Sequence, residues 1–370
     1  MKLPWSKSEQ NNGQSLIALS PVPGAVWGRS DPAALVNDGY RGNPVVYRCV
    51  RLIAEAAASI AFTSDQDRVQ ALLDAPSPEQ AGRALLEQLF TDLQITGNAW
   101  LEAVSLDHET APRALFGLPV GTVRLRQDRQ GFVSGYSVRQ ARGERTIERD
   151  TEGWLPVLHL KLYQPADHNH GLSPLAAARK SLDIHNQAAG WAKALLDNAA
   201  RPSGALMYGK DGARLSDDQF DRLKDQLTAD HTGAVNAGRP LLLEGGLDWR
   251  PMSLSPVEMD FAETRNTAAR EISLAFGVPP MLLGIPGDNT YATYKEAHQA
   301  FWRLTVLPLV QKTANALTVW LGGRFDGVRI RPDLDNVPAF AADRDALWAR
   351  IGAADFLSND EKRAILGVTP

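Results

Sequence analysis

Residues 255–302 read SPVEMDFAETRNTAAREISLAFGVPPMLLGIPGDNTYATYKEAHQAFW, and this stretch decides the architecture. Ser255 serves as a side-chain cap, and Pro256 occupies a first helical position, where its missing N–H would lack a partner anyway. Phe261, Ala268, Ile272, Ala275 and Phe276 then recur at helical spacing, while Glu258, Glu263, Arg265, Arg270 and Glu271 keep the other faces polar. Gly277 suits a left-handed C-terminal cap, Pro279 and Pro280 forbid continuation, and Gly284, Pro286 and Gly287 punctuate the loop. The loop ends in the polar run from Asp288 to Thr293, which has no apolar anchor of its own. A second helix is expected from about Tyr294 to Leu321. Trp302, Val306, Leu309, Thr313, Leu317 and Trp320 share one of its faces, and Pro308 should kink it by removing a backbone hydrogen bond. On pattern alone this is a helical hairpin packed in a core.

Upstream, GLSPLAAARKSLDIHNQAAGWAKALLDNAARP carries the most regular helical pattern of the chain, capped by Ser173, begun by Pro174 and stopped by Pro202. Leu175, Ala178, Leu182, His185, Ala189, Ala192, Leu196 and Ala199 follow one another at steps of three or four, a continuous packing seam of which half is alanine. At the α-helical rise a 26-residue helix would reach roughly 39 Å, and its small side chains permit close approach of another helix, from the same subunit or a neighbour. His185 on this seam reads as a hydrogen-bonded packing residue rather than a catalyst. Residues 203–254 form an insertion between the two long helices, with strand-like SGALMYG, helical SDDQFDRLKDQLTADH, and the strands RPLLLEG and LDWRPM.

The N-terminal third is expected to be α+β. Residues 1–40 are rich in Gly, Pro, Ser and Asn and read as an arm. NPVVYRCVRLIAEAAASI follows as a helix over 44–60 with Asn43 as cap, and Ser77-Pro78-Glu79 is expected to open a second one ended by Gly97-Asn98. Strand-like runs cover 99–104, 122–127, 132–139, 145–149 and 155–163. Arginines at 124, 126, 139, 142, 145 and 149 make this region locally basic, the pattern of a solvated sheet face or of a partner surface. GGRFDGVRIRPDLDNVPAF gives a strand and loop, and two short helices over 344–353 and 358–366 complete the chain.

Composition narrows the functional classes. The 370 residues suffice for two or three cores, and 44% hydrophobic with 22% charged residues is ordinary globular usage. Lys and Arg total 39 against 43 Asp and Glu, an acidic balance that argues against static DNA binding through many phosphate contacts. The single Cys49 lies on an apolar helical face and cannot form an intrachain disulfide, in keeping with a reducing compartment. No signal peptide and no 18-residue apolar run is visible, so a soluble, non-secreted protein without membrane partners is expected. GxxxxGK[ST], CxxC, HExxH and GxSxG are absent. Asp167-His168-Asn169-His170 could ligate a metal, although polar residues are also expected ahead of a helix cap. No cofactor is called for.

Five segments occur in an order and spacing that resemble the portal proteins of tailed bacteriophages, of the short siphophage type. They are NPVVYRCVRLIAEAAASI, LLDAPSPEQAGRALLEQLFTDLQITGNAWLEA, VLHLKLY with GLSPL, RPSGAL, and FAETRNTAAREISLAFGVPPMLLG, together spanning roughly residues 40–325. The last is also similar to portals of phage-derived gene transfer agents. The resemblance implies an α+β portal-type fold with a wing (41–172), a first stem helix (173–202), an α/β clip (203–254), a second stem helix (255–277), a tunnel loop (278–293), a bent helix with a wing strand (294–335) and a short helical crown (336–370). It implies a non-enzymatic ring, usually of twelve copies, at one vertex of a virion or virus-like particle assembled in the bacterial cytoplasm. Its implied partners are other copies of itself, the large terminase, the head–tail adaptor, the major capsid protein and double-stranded DNA passing without sequence readout. Under this reading Asn289, Thr290, Tyr291 and Lys295 lie near DNA, and Lys210, Arg214, Arg222 and Lys224 serve docking on the clip. Ala178, Leu182, Ala189, Ala192, Phe261 and Ile272 pack the stem. Two other classes are weighed against it: a non-viral helical scaffold or adaptor, and a metal-dependent hydrolase built on Asp167, His168 and His170.

Overall fold

The computed structural model describes residues 31–106, 109–197, 204–208, 216, 218, 221–222, 247–251, 261–286, 291–335 and 337–366. A helical turn at Pro32–Ala34 runs into a π-helical segment, Leu35–Arg41, and then into helix α1 (Pro44–Ala58). As expected, the Asn43 side-chain oxygen accepts from the amides of Val45 and Val46, satisfying two otherwise orphaned donors. Val46, Cys49, Val50, Ile53 and Ala57 are buried on one face of α1, and burial pushes the Cys49 thiol up to about 12.

Strand β1 (Phe62–Ser64) and helix α2 (Asp67–Asp74) come next. Helix α3 spans Gly82–Thr96, so Ser77-Pro78-Glu79 does not open it. Instead Ser77 and Gln80 form a bridge, and the helix starts where a Cβ on Gly82 would overlap the Leu73 carbonyl oxygen at 1.8 Å. Gly97, at φ +77°, ends α3 and leads directly into β2 (Asn98–Val104).

Strands β3 (Ala114–Leu118), β4 (Val123–Gln127), β5 (Val133–Gln140), β6 (Gly143–Glu148) and β7 (Val157–Lys161) build two antiparallel sheets, β3-β2-β7 and β4-β5-β6. Trp100, Leu118, Tyr136, Val138, Ile147 and Val157 form a small core shared by both. The guanidinium of Arg145 spans the same gap, donating to both carboxylate oxygens of Glu102 at 2.7 and 2.6 Å. One of the basic-face arginines is therefore a fastener between sheets.

The long helix appears as α4 (Pro174–Ala177) and α5 (Arg179–Asp197), offset at Ala178, followed by β8 (Gly204–Tyr208) and β9 (Leu247–Pro251), which pair antiparallel. Helix α6 (Phe261–Phe276) packs along α5. Helices α7 (Tyr291–Phe301) and α8 (Leu307–Leu321) are joined by a π turn, Trp302–Val306, in which the Leu307 amide donates to the Trp302 carbonyl. The expected kink is thus a widened turn, which makes room for the Pro308 ring where an α-helix would drive it into the Leu304 carbonyl. Trp302, Val306, Leu309, Thr313, Leu317 and Trp320 are all buried, as their spacing requires.

Strand β10 (Ile330–Pro332) returns to pair with β1, and α9 (Ala341–Gly352) and α10 (Asn359–Leu366) end the described chain. The main core joins α1, α3, α6 and α8 with β2 and β7. The indole N–H of Trp154 donates to the Trp320 carbonyl and that of Trp320 to the Leu155 carbonyl, both at 2.9 Å, with the rings stacked. Arg324 lies over Trp154 and pairs with Asp150 and Glu152, so the end of α8 is riveted to the sheet region. Among the described residues no helix is long and apolar enough to cross a membrane.

Candidate functional site

The paired helices α5 and α6 carry the stem residues. Ala178, Leu182 and Ile272 are buried, whereas Ala189 and Ala192 are only half-buried; the Phe261 side chain lies outside the described residues. Ser181 Oγ donates to Glu271 Oε2 across the pair at 2.6 Å. Ile184, Trp191 and Leu274 of the same two helices remain exposed, Leu274 at 79%. An apolar side chain left that open on a helix flank is surface this chain alone does not cover.

A polar anchor that the sequence did not disclose fixes the foot of α5. Asn43 caps α1 with its oxygen, and its amide nitrogen lies 2.9 Å from His185 Nδ1 and 2.7 Å from Asn186 Oδ1. Arg179, nearly buried, pairs with Asp38 at 2.9 Å and Asp183 at 3.1 Å. Burial, then the charge of Arg265, lowers the pKa of His185 and keeps the ring neutral to accept from Asn43. His185 is a packed, hydrogen-bonded residue, as its seam position suggested. The signal for this anchor was available: an Asn cap uses only its oxygen, leaving two N–H donors to be satisfied.

The end of α6 is a Schellman cap. Gly277 has φ +66°, its amide donates to the Leu274 carbonyl, and the Val278 amide donates to the Ser273 carbonyl. Thr305 Oγ1, from the π turn, donates to the Gly277 carbonyl at 2.6 Å. A 3-10 turn, Pro280–Leu283, is closed by Gly284 at φ +72°, Ile285 is buried, and the Arg270 guanidinium donates to the Pro286 carbonyl. The rising limb of the loop is therefore held against α6. Asn289 and Thr290 lie outside the described residues; Tyr291 opens α7, its side chain likewise outside, and Lys295 is exposed one turn later.

Of the clip residues, Lys210, Arg214 and Lys224 lie outside the described residues, and Arg222 is exposed at a helical position. The Asp167 cluster forms a turn: Oδ1 accepts from the Asn169 amide at 2.7 Å and Oδ2 lies 2.9 Å from His170 Nδ1. The Asn169 amide, then His170, hold the Asp167 carboxyl below the usual range. Both oxygens are committed locally, and His168 makes no converging contact with them. Among the described residues no group of three or more His, Cys, Asp or Glu side chains is placed to hold a metal.

Comparison with known proteins places these elements in a family. Residues 44–367 match the phage portal protein family. An uncharacterized protein of Rickettsia bellii is 39% identical over 98% of this chain and 96% of its own length. A chain from the neck of an empty gene transfer agent particle, computed with C6 symmetry, is 47% identical, with a TM-score of 0.71 over 93% of this chain and 95% of that one. The corresponding chain in the neck of a native particle, computed with C12 symmetry, is 48% identical over the same shares, with a TM-score of 0.70. From the cap of α1 to the last helix, this chain belongs to the phage portal protein family.

Proposed function

We propose that this protein is the portal of a gene transfer agent or phage-like particle, a closed ring of about twelve copies at one capsid vertex through which double-stranded DNA is packaged and released. The supporting observation is its 47% identity, over nearly its whole length, to a chain in the neck of such a particle. The exposed apolar flank of the α5–α6 pair supports it as well, since Ile184, Trp191 and Leu274 are surface that a neighbouring copy would cover. The large terminase and the head–tail adaptor dock on the β8–β9 unit and the segment between those strands, including Lys210, Arg214, Arg222 and Lys224. The capsid protein surrounds the ring.

The charge balance suits a conduit. A lumen crowded with Lys and Arg would grip phosphates through counterion release and brake the DNA, whereas this chain has 39 basic against 43 acidic residues. The polar side chains of Asn289 and Thr290 and the aromatic Tyr291, with Lys295 behind them, touch a duplex without reading its bases. The protein performs no catalysis in this role; motion and chemistry belong to the terminase. The hydrolase reading loses its support because the Asp167 carboxylate is consumed by its own turn. Immunogold labelling of purified particles with an antibody to this chain should mark a single vertex, and labelling spread over all vertices would contradict the reading.

A further inference from the structure

The histidine-bearing turn at Asp167–His170 borders an open-sided cavity. Between β7 and α8 lies a space of about 550 Å³, open to solvent, whose polar lining is His159, Lys161, Gln164, Asp167, His168, His170 and Lys312, with Tyr163 and apolar groups completing it; Lys161, Lys312, His168 and His170 are exposed. Its charged lining is one-sided. Lys161 and Lys312 bring two ammonium groups, and the only carboxylate, Asp167, is already bonded to the Asn169 amide and to His170. Lys161 donates to the His168 carbonyl, a neutral acceptor, and Lys312 forms no ion pair with the described residues. Burial, then the charge of Lys161, lowers the pKa of Lys312, so the two ammonium groups lie within range of each other's charge.

We propose that this cavity is a phosphate-binding site, with Lys161 and Lys312 as its charged donors and the imidazoles of His168 and His170 at its rim. A tetrahedral oxyanion has enough acceptor oxygens to engage two ammonium groups and a ring N–H together, each bond being charge-assisted. A single carboxylate could bridge both lysines but carries only one negative charge against their two, where phosphate carries up to two. Tyr163, 82% exposed at the mouth, offers a flat ring beside the phosphate position. The phosphate is either a free anion or a phosphodiester of DNA lying on this face; the second source rests on the portal reading, and the first does not.

The test uses the full chain in two arms. Inorganic phosphate is titrated calorimetrically in a chloride background against wild type, the pair Lys161→Gln/Lys312→Gln, and a charge-matched control pair, Arg129→Gln/Arg142→Gln, outside the cavity. The site predicts binding in wild type and control, with affinity at least about tenfold weaker in the cavity pair. Equal affinity in all three, or no binding of phosphate above chloride, overturns it. A short DNA duplex is then added to the phosphate complex: displacement of phosphate from wild type identifies a phosphodiester as occupant, and no displacement identifies the free anion. Negative-stain images of the same samples record whether rings form. Rings without phosphate binding remove the site and leave the portal reading, whereas phosphate binding without rings does the reverse.

Discussion

Gly277 shows how much structure can rest on one residue. Its positive φ is a conformation that costs an L side chain about 1–2 kcal/mol, and a Cβ there would stand 2.7 Å from Thr305 Oγ1. Gly277→Ala should therefore destabilise the fold by about 1–3 kcal/mol in thermal melts, and a variant that melts like wild type would refute the cap. His159 makes the complementary case in electrostatics. Stacked on Trp100 and edge-on to Tyr136, with Nε2 3.0 Å from Asn98 Oδ1, it is pushed down to about 3 by burial, then by Lys161 and His170. The unfolded chain takes up this proton below its ordinary value near 6.5 and the folded chain does not until about 3. Stability should then fall as pH drops across that window, with a slope of up to about 1.4 kcal/mol per pH unit. Asp92, pushed up to about 7 by burial, contributes with opposite sign between its ordinary value and 7. Comparing denaturant melts of wild type and His159→Gln cancels the Asp92 contribution. The variant should show the flatter acid limb, and identical slopes would show that the ring is not held neutral.

Among the elements, long periodic helices were legible and short or cross-chain ones were not. The faces of α1, α6 and α8 followed from apolar spacing, and both Asn43 and Gly277 declared their caps. Helix α2 is not among the elements expected from the sequence, since its eight residues supply only Val69 and Leu72 as buried positions. Strand β3 was missed because Gly117 interrupts its apolar pattern. The β1–β10 pair joins Phe62 to Pro332, a partnership that local pattern cannot show. Pro308 announced a break in the bent helix but not its form, since a π turn is set by packing around Trp302 and Val306. Helices α5 and α6 carry the assembly prediction. Leu274→Asp should leave the melting of the isolated subunit within about 0.5 kcal/mol, because the side chain is exposed there, while weakening ring formation in light scattering. Ala189→Glu, at a half-buried seam position on α5, should also weaken ring formation, through the cost of burying an unpaired carboxylate. Full-strength assembly by both variants would remove the α5–α6 pair from the subunit interface.

At the scale of the whole molecule, the two sheets, the riveted end of α8 and the α5–α6 pair make the frame of the described chain. The frame could be read because its segments resemble a family in order as well as in wording. The candidate DNA-proximal and docking residues could only be inferred by position, since neither polarity nor spacing distinguishes a channel-facing Asn289 from a helix-capping one. Replacing Asn289, Thr290 and Tyr291 together by glycine separates these roles. A channel role predicts intact rings with less DNA per particle; a capping role predicts normal DNA content and a loss of about 1 kcal/mol in ring melting. The central claim, that this chain closes on itself around a channel, is tested most directly by electron microscopy of the purified protein. The account predicts closed rings of about twelve subunits with a central opening wide enough for a DNA duplex, and a population of monomers or open filaments at micromolar concentration would contradict it.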